Sequence, residues 1–177
     1  LIKNDLAGAR AAFERAQALD SKSTDLLSGL IALDLKSNNA AGARARVEQR
    51  LKEGATPAIL LIAARTYMAT NDQAATERAL RQAIEADPSL QPPYEMLGQL
   101  YMSQKKLDEA RREFEALATR QAKPVGPLTM IGMILMTQGQ TAQARKRFED
   151  VLAIDSRSVI AANNLAWMRA EAGDDLD

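Results

Sequence analysis

Residues 94–114 read YEMLGQLYMSQKKLDEARREF, and the spacing within this stretch decides the fold. Tyr94, Leu97, Gly98 and Tyr101 stand at i, i+3, i+4 and i+7, which is one face of a helix. Leu107, Ala110, Phe114 and Leu117 mark a second such face. Between them Ser103-Gln104-Lys105-Lys106 is polar and short, suited to the turn of an antiparallel helix pair. Gly98 and Ala110 then acquire a reason. Where two helices cross closely a bulky side chain would hold the backbones apart, so small residues permit contact and aromatics fill the flanks.

The same design recurs along the chain. Phe13, Val47, Leu80, Phe114 and Phe148 follow one another at a nearly constant interval, with only the step from Val47 to Leu80 shorter by one. Gly98 is matched at the full interval on either side by Ala64 and Gly132, and then by Ala166. Asn71, Lys105, Gly139 and Gly173 recur as turn positions, where Asn and Gly tolerate the left-handed backbone that ends a helix and Lys105 is the weak member. Asp20-Ser21, Asp87-Pro88 and Asp155-Ser156 stop one helix pair and can cap the next.

This pattern of aromatic, Leu-Gly, Tyr, Ala, Phe and terminal Pro resembles the tetratricopeptide repeat family over nearly the whole chain. The resemblance implies an all-α solenoid, an α-α superhelix of antiparallel helix pairs in which each pair buries its faces only by stacking on its neighbours. Residues 1–177 then form a single array. Residues 1–22 are the second helix of a partial repeat, residues 23–56 (the most divergent), 57–90, 91–124 and 125–158 are repeats, and residues 159–177 hold the first helix of a truncated one. The helix pairs are expected near 24–53, 57–87, 91–121 and 125–155. Thr76 stands where the family has alanine, and Pro124 and Pro127 bracket an irregular junction. Because the chain begins and ends inside repeats, the expectation is a segment excised from a longer bacterial array, with self-association open to it through its truncated ends.

Composition removes most chemistry. The 177 residues hold no Cys and no His, which excludes zinc sites built on those ligands, Cys-His and Ser-His-Asp constellations and histidine-held haem. No catalytic residue, cofactor or metal site is expected. Twenty-three basic and 23 acidic residues balance to zero, so no net field concentrates the chain on nucleic acid or anionic lipid. No stretch approaches the roughly 18 apolar residues of a membrane span, so no membrane insertion is expected of this segment. A chain without thiols fits a reducing cytoplasm and a bacterial periplasm alike, and the compartment stays open.

Arg10, Arg44, Arg78, Arg112 and Lys146 are evenly spaced, as a ladder for nucleic acid would be. The apolar register contains one shortened step, however, so the residues equivalent to Arg10 and Arg44 are Glu77, Arg111 and Arg145. Glu14, Glu48 and Asp150 offer i, i+4 partners on the same faces. A solvated convex surface is the reading, with no nucleic-acid partner.

In the family the first helix of each repeat lines the concave groove. Carried onto this chain, that implies a groove of Leu27, Ile31 and Leu35, then Leu61, Arg65 and Met68, then Glu95, Gln99 and Met102, then Thr129, Met133 and Met136, and last Asn163 and Trp167. Flexible thioethers at such places suit a surface that adapts to helical or apolar partners, unless the methionines are core, which is the stronger alternative for Met96 and Met130. The Lys, Asn and Arg clamp by which some family members hold chaperone C-termini has no counterpart here, since its places hold Leu27, Ile31, Ile62, Pro92 and Met96 or, one repeat later, Leu61, Arg65, Met96, Gly126 and Met130. The run Asn163-Asn164-Leu165-Ala166-Trp167 resembles late helices of long bacterial repeat proteins of envelope, exopolysaccharide and protein-sorting systems. The expected function is a non-catalytic scaffold that binds a protein or peptide segment in an apolar, Met-rich groove. The alternative is a structural spacer with no groove ligand.

Overall fold

A computed structural model describes residues 5–172. The described residues form ten α-helices and no strand. They fall into two compact units, the first ending at Pro93 and the second starting at Tyr94.

The first unit contains α1 (Leu6–Leu19), α2 (Thr24–Lys36), α3 (Ala40–Glu53), α4 (Pro57–Ala69) and α5 (Gln73–Ala86). Each packs on the next, and α2 also touches α4. The boundaries follow from local chemistry. Side chains of Asp5, Asn39 and Asp72 accept the backbone N–H three residues on at the starts of α1, α3 and α5. Ser23 and Thr56 do the same for α2 and α4. Asn38 and Asn71 end α2 and α4 with φ of 56° and 57°, the left-handed conformation that Asn tolerates. The core is Leu27, Leu30, Val47, Leu60, Ala64 and Leu80 with the smaller residues around them. Thr76, in place of the family's alanine, is fully buried, and its hydroxyl donates to the Asp72 carbonyl at 2.8 Å, so no polar atom is stranded.

The second unit holds α6 (Pro92–Ser103, from Tyr94 onward), α7 (Leu107–Ala118), α8 (Val125–Thr137), α9 (Thr141–Ile154) and α10 (Val159–Ala172). Its consecutive helices α7 to α10 pack in sequence. The close crossings are real. A Cβ built on Gly98 would lie 2.6 Å from the Phe114 ring, and one on Gly132 would lie 2.8 Å from the Phe148 ring. Both rings are buried. Lys105 and Gly139 take φ of 59° and 72° at the turns of the two pairs, while Gly173 lies outside the described residues. Pro127 sits in the first turn of α8, where its missing N–H costs no helical hydrogen bond.

The Asp residues expected to separate pairs prove to be helix ends rather than caps of the next helix. Asp20, Asp87 and Asp155 close α1, α5 and α9, and each carboxylate accepts from the backbone N–H two residues on, at 3.2, 2.9 and 3.1 Å. The cap that follows Asp20 is Ser23.

Candidate functional site

Helix α2 is where the structure departs from the expected groove. Leu27 and Ile31 are buried core residues, only 2% and 5% exposed. Both lie one full repeat interval before Leu61 and Arg65. Between the first two complete pairs the step is shorter by one, from Asn38 to Asn71 in the turns and from Thr24 to Pro57 at the helix starts. One residue turns a helix by about 100°, which carries an outward position into the core. The equivalents of Leu61, Arg65 and Met68 are therefore Ser28, Ala32 and Leu35. Ser28 and Ala32 are exposed, and Leu35 is half-buried. With Ile31, Ile62, Arg65 and Thr66 they line a small cavity of about 150 Å³ between α2 and α4. Leu61 is half-buried and Met68 exposed on the same helix.

The register slip also undoes the basic ladder. Arg10, Arg44, Arg111 and Arg145 are half-buried, as is Glu77 at the corresponding place on α5. Arg78, Arg112 and Lys146 are exposed on a different flank. The Arg44 guanidinium is committed to Asp72 at 2.9 Å and lies 5.0 Å over the Tyr67 ring. Arg111 reaches Asp108 and Glu115 on its own helix.

In the second unit the predicted positions divide. Glu95 and Gln99 of α6 and Thr129 of α8 meet around one cavity of about 310 Å³, with Phe114, Leu117, Val125, Pro127, Met130 and Ile160 supplying most of its wall. Thr129 contributes little surface of its own, being 7% exposed with its hydroxyl donated to the Val125 carbonyl at 2.7 Å. Met133 and Trp167 stand out at 40% and 50% exposure. Asn163 is exposed, and Met102 and Met136 are half-buried. The methionines split as well: Met96 and Met130 are half-buried, while Met168, 2% exposed, belongs to the core.

Sequence reasoning missed one charged site. Asp34 is 1% exposed, and its carboxylate accepts from Arg46 Nε at 2.6 Å and Asn39 Nδ2 at 3.2 Å and pairs with Arg10 Nη1 at 2.7 Å. It ties α1 and α3 to α2. Burial pushes this carboxyl up, but the hydrogen bonds and charges of Arg46 and Arg10 outweigh it and hold Asp34 below the ordinary aspartate value. The signal was present in LIALDLK at 30–36, where a lone carboxylate interrupts an apolar run.

Among the described residues no group of His, Cys, Asp and Glu side chains is placed to hold a metal ion, and no helix is long and apolar enough to cross a membrane.

No curated protein matches the chain in sequence. Among solved structures, MamA superposes with a TM-score of 0.71 at 19% identity, covering 88% of this chain and 91% of that one. YrrB, described as a repeat protein with an unusual peptide-binding site, gives 0.66 at 17% identity, covering 90% and 83%. The first repeat domain of Spaghetti, bound to the HSP90 peptide SRMEEVD, gives 0.57 at 15% identity, covering 67% and 96%. At such identities the likeness carries the fold. Family models described as tetratricopeptide repeat match residues 57–90 and 92–124, and a further one matches residues 129–176. With helix pairs at those places, left-handed turns at one period and small residues at the crossings, the chain belongs to the tetratricopeptide repeat family.

Proposed function

We propose that the chain is a non-catalytic scaffold that binds a protein segment on the first-helix face of its second unit, through Gln99, Met102, Met133, Met136, Asn163 and Trp167. The observation that carries this reading is that Met133 and Trp167, both exposed, stand at the same repeat position; the other exposed large apolar side chains among the described residues, Leu19, Met68, Ile154, Val159 and Ile160, are scattered over other positions. These two residues stand one repeat apart, at the position that follows Gly132 and Ala166. Exposed apolar residues that share a register form the kind of patch that marks interaction sites on proteins. YrrB with its unusual peptide-binding site and the Spaghetti domain bound to an HSP90 peptide share this fold, which supports a peptide or protein partner for this chain too. In the first unit, Leu61, Arg65 and Met68 with the cavity at Ser28, Ala32 and Leu35 offer a separate surface of the same type.

Trp167 is the sole tryptophan and so reports on its own face. Adding a partner captured from the source organism should shift its emission to the blue. Trp167→Ala should weaken binding by at least ~2 kcal/mol, about thirtyfold, as an anchor at an interface does, and Met133→Ser should weaken it less. Unchanged emission, together with unchanged affinity in both folded variants, would leave the spacer reading in its place.

A further inference from the structure

Resting on that reading of the second unit, we propose that the cavity beside Glu95 receives an apolar side chain of the partner segment that has a lysine or arginine next to it. The wall is made by Val125, Pro127, Met130 and Ile160 over the Phe114 and Leu117 side chains. At about 310 Å³ it lies at the small end of the roughly 300–1,000 Å³ range of ligand pockets, room for an apolar side chain and part of the segment that carries it but not for a folded element. Glu95 is the only charged residue lining it. The Glu95 side chain is exposed and makes no ion pair or hydrogen bond with any described residue. The remaining predicted positions of this face, Gln99, Met102, Thr129, Met133, Met136, Asn163 and Trp167, are all uncharged. An uncompensated carboxylate at the rim of an apolar pocket attracts a cation and repels an acidic segment, so charge sets the class of partner. The occupant is therefore an apolar-basic segment of another protein, opposite in sign to an acidic peptide such as SRMEEVD.

Selection of phage-displayed random twelve-residue peptides on the intact chain tests this directly. Wild type should enrich peptides that place Lys or Arg beside Leu, Ile, Met or Phe. Glu95→Gln should weaken the selected peptides by about fivefold, the scale of a partly exposed ion pair, and Glu95→Lys should turn the selection towards Asp and Glu. Ile160→Asp, at a half-exposed position that should tolerate a carboxylate without unfolding, should abolish binding of the same peptides. Enrichment of acidic peptides by wild type, or an identical selection by Glu95→Lys, would overturn the proposal. If the selected peptides lose binding in Trp167→Ala and Met133→Ser but ignore Glu95→Lys and Ile160→Asp, the scaffold reading stands and this inference falls. If they bind all variants alike, both fall. No enrichment from a chain that sediments as a dimer would assign the pocket to a second copy and also overturn it.

Discussion

At Lys105 the backbone takes a φ of 59°, where Asn38, Asn71 and Gly139 stand in the equivalent turns. The left-handed conformation costs a side chain with a Cβ about 1–2 kcal/mol, and glycine gives back about 0.5–1 kcal/mol through the entropy of its unfolded chain. Lys105→Gly should therefore raise stability by about 0.5–1 kcal/mol, read as a higher melting midpoint. Gly98 tests the opposite constraint. Its Cβ position overlaps the buried Phe114 ring, so the ring or the helix must shift to admit a methyl group. Gly98→Ala should cost about 1–3 kcal/mol by overpacking. Gly126→Ala is its control, because nothing lies within 4 Å of a Cβ there. Equal melting of the two variants would mean that the crossing is not tight in solution.

At the scale of elements, Asp34 is the tie that holds α1 and α3 to α2. Breaking a fully buried ion pair costs about 3–5 kcal/mol. Arg10 and Arg46 keep 28% and 27% of their side-chain surface exposed and can turn to water, so Asp34→Ala should cost less, about 1–2 kcal/mol. The pH dependence follows from the direction of the shift. Folded Asp34 titrates below the unfolded value of 3.8, so its contribution is complete above that value and disappears as pH falls through the lower folded one. Helicity followed by circular dichroism should thus fall on acidification below about pH 4. Asp34→Asn should make that acid limb shallower. An unchanged limb would place the acid sensitivity elsewhere, for example at Asp72, whose carboxyl is held down by the Ala75 N–H and by Arg44.

For the molecule as a whole, a repeat protein's stability is close to a sum of repeat and nearest-neighbour terms, so damage should stay local. Asp34→Ala is expected to raise hydrogen exchange in α1 to α3 and to leave the α8 and α9 amides at wild-type protection. Mass-spectrometric exchange checks this peptide by peptide. A uniform rise across all ten helices would show that the described residues unfold as one cooperative block.

The sequence by itself determined the helices, their turns and the crossings, because these rest on local chemistry: an i, i+4 face, an Asn or Gly able to enter the left-handed region, a small residue opposite an aromatic. Helix pairs expected at 24–53, 57–87, 91–121 and 125–155 lie within three residues of those observed. The same shortened step that exposed the false arginine ladder was legible in Val47 and Leu80, yet its consequence for Leu27 and Ile31 emerged only in three dimensions. Burial depends on what packs against a face, and a shift of one residue exchanges core for surface. Asp34 shows the same limit, since its two arginines come from other helices, Arg10 from α1 and Arg46 from α3. Only the tertiary structure gathered Glu95, Val125, Met130 and Ile160 around one cavity, because a pocket is made where separate helices leave space between them, and no local pattern encodes that space.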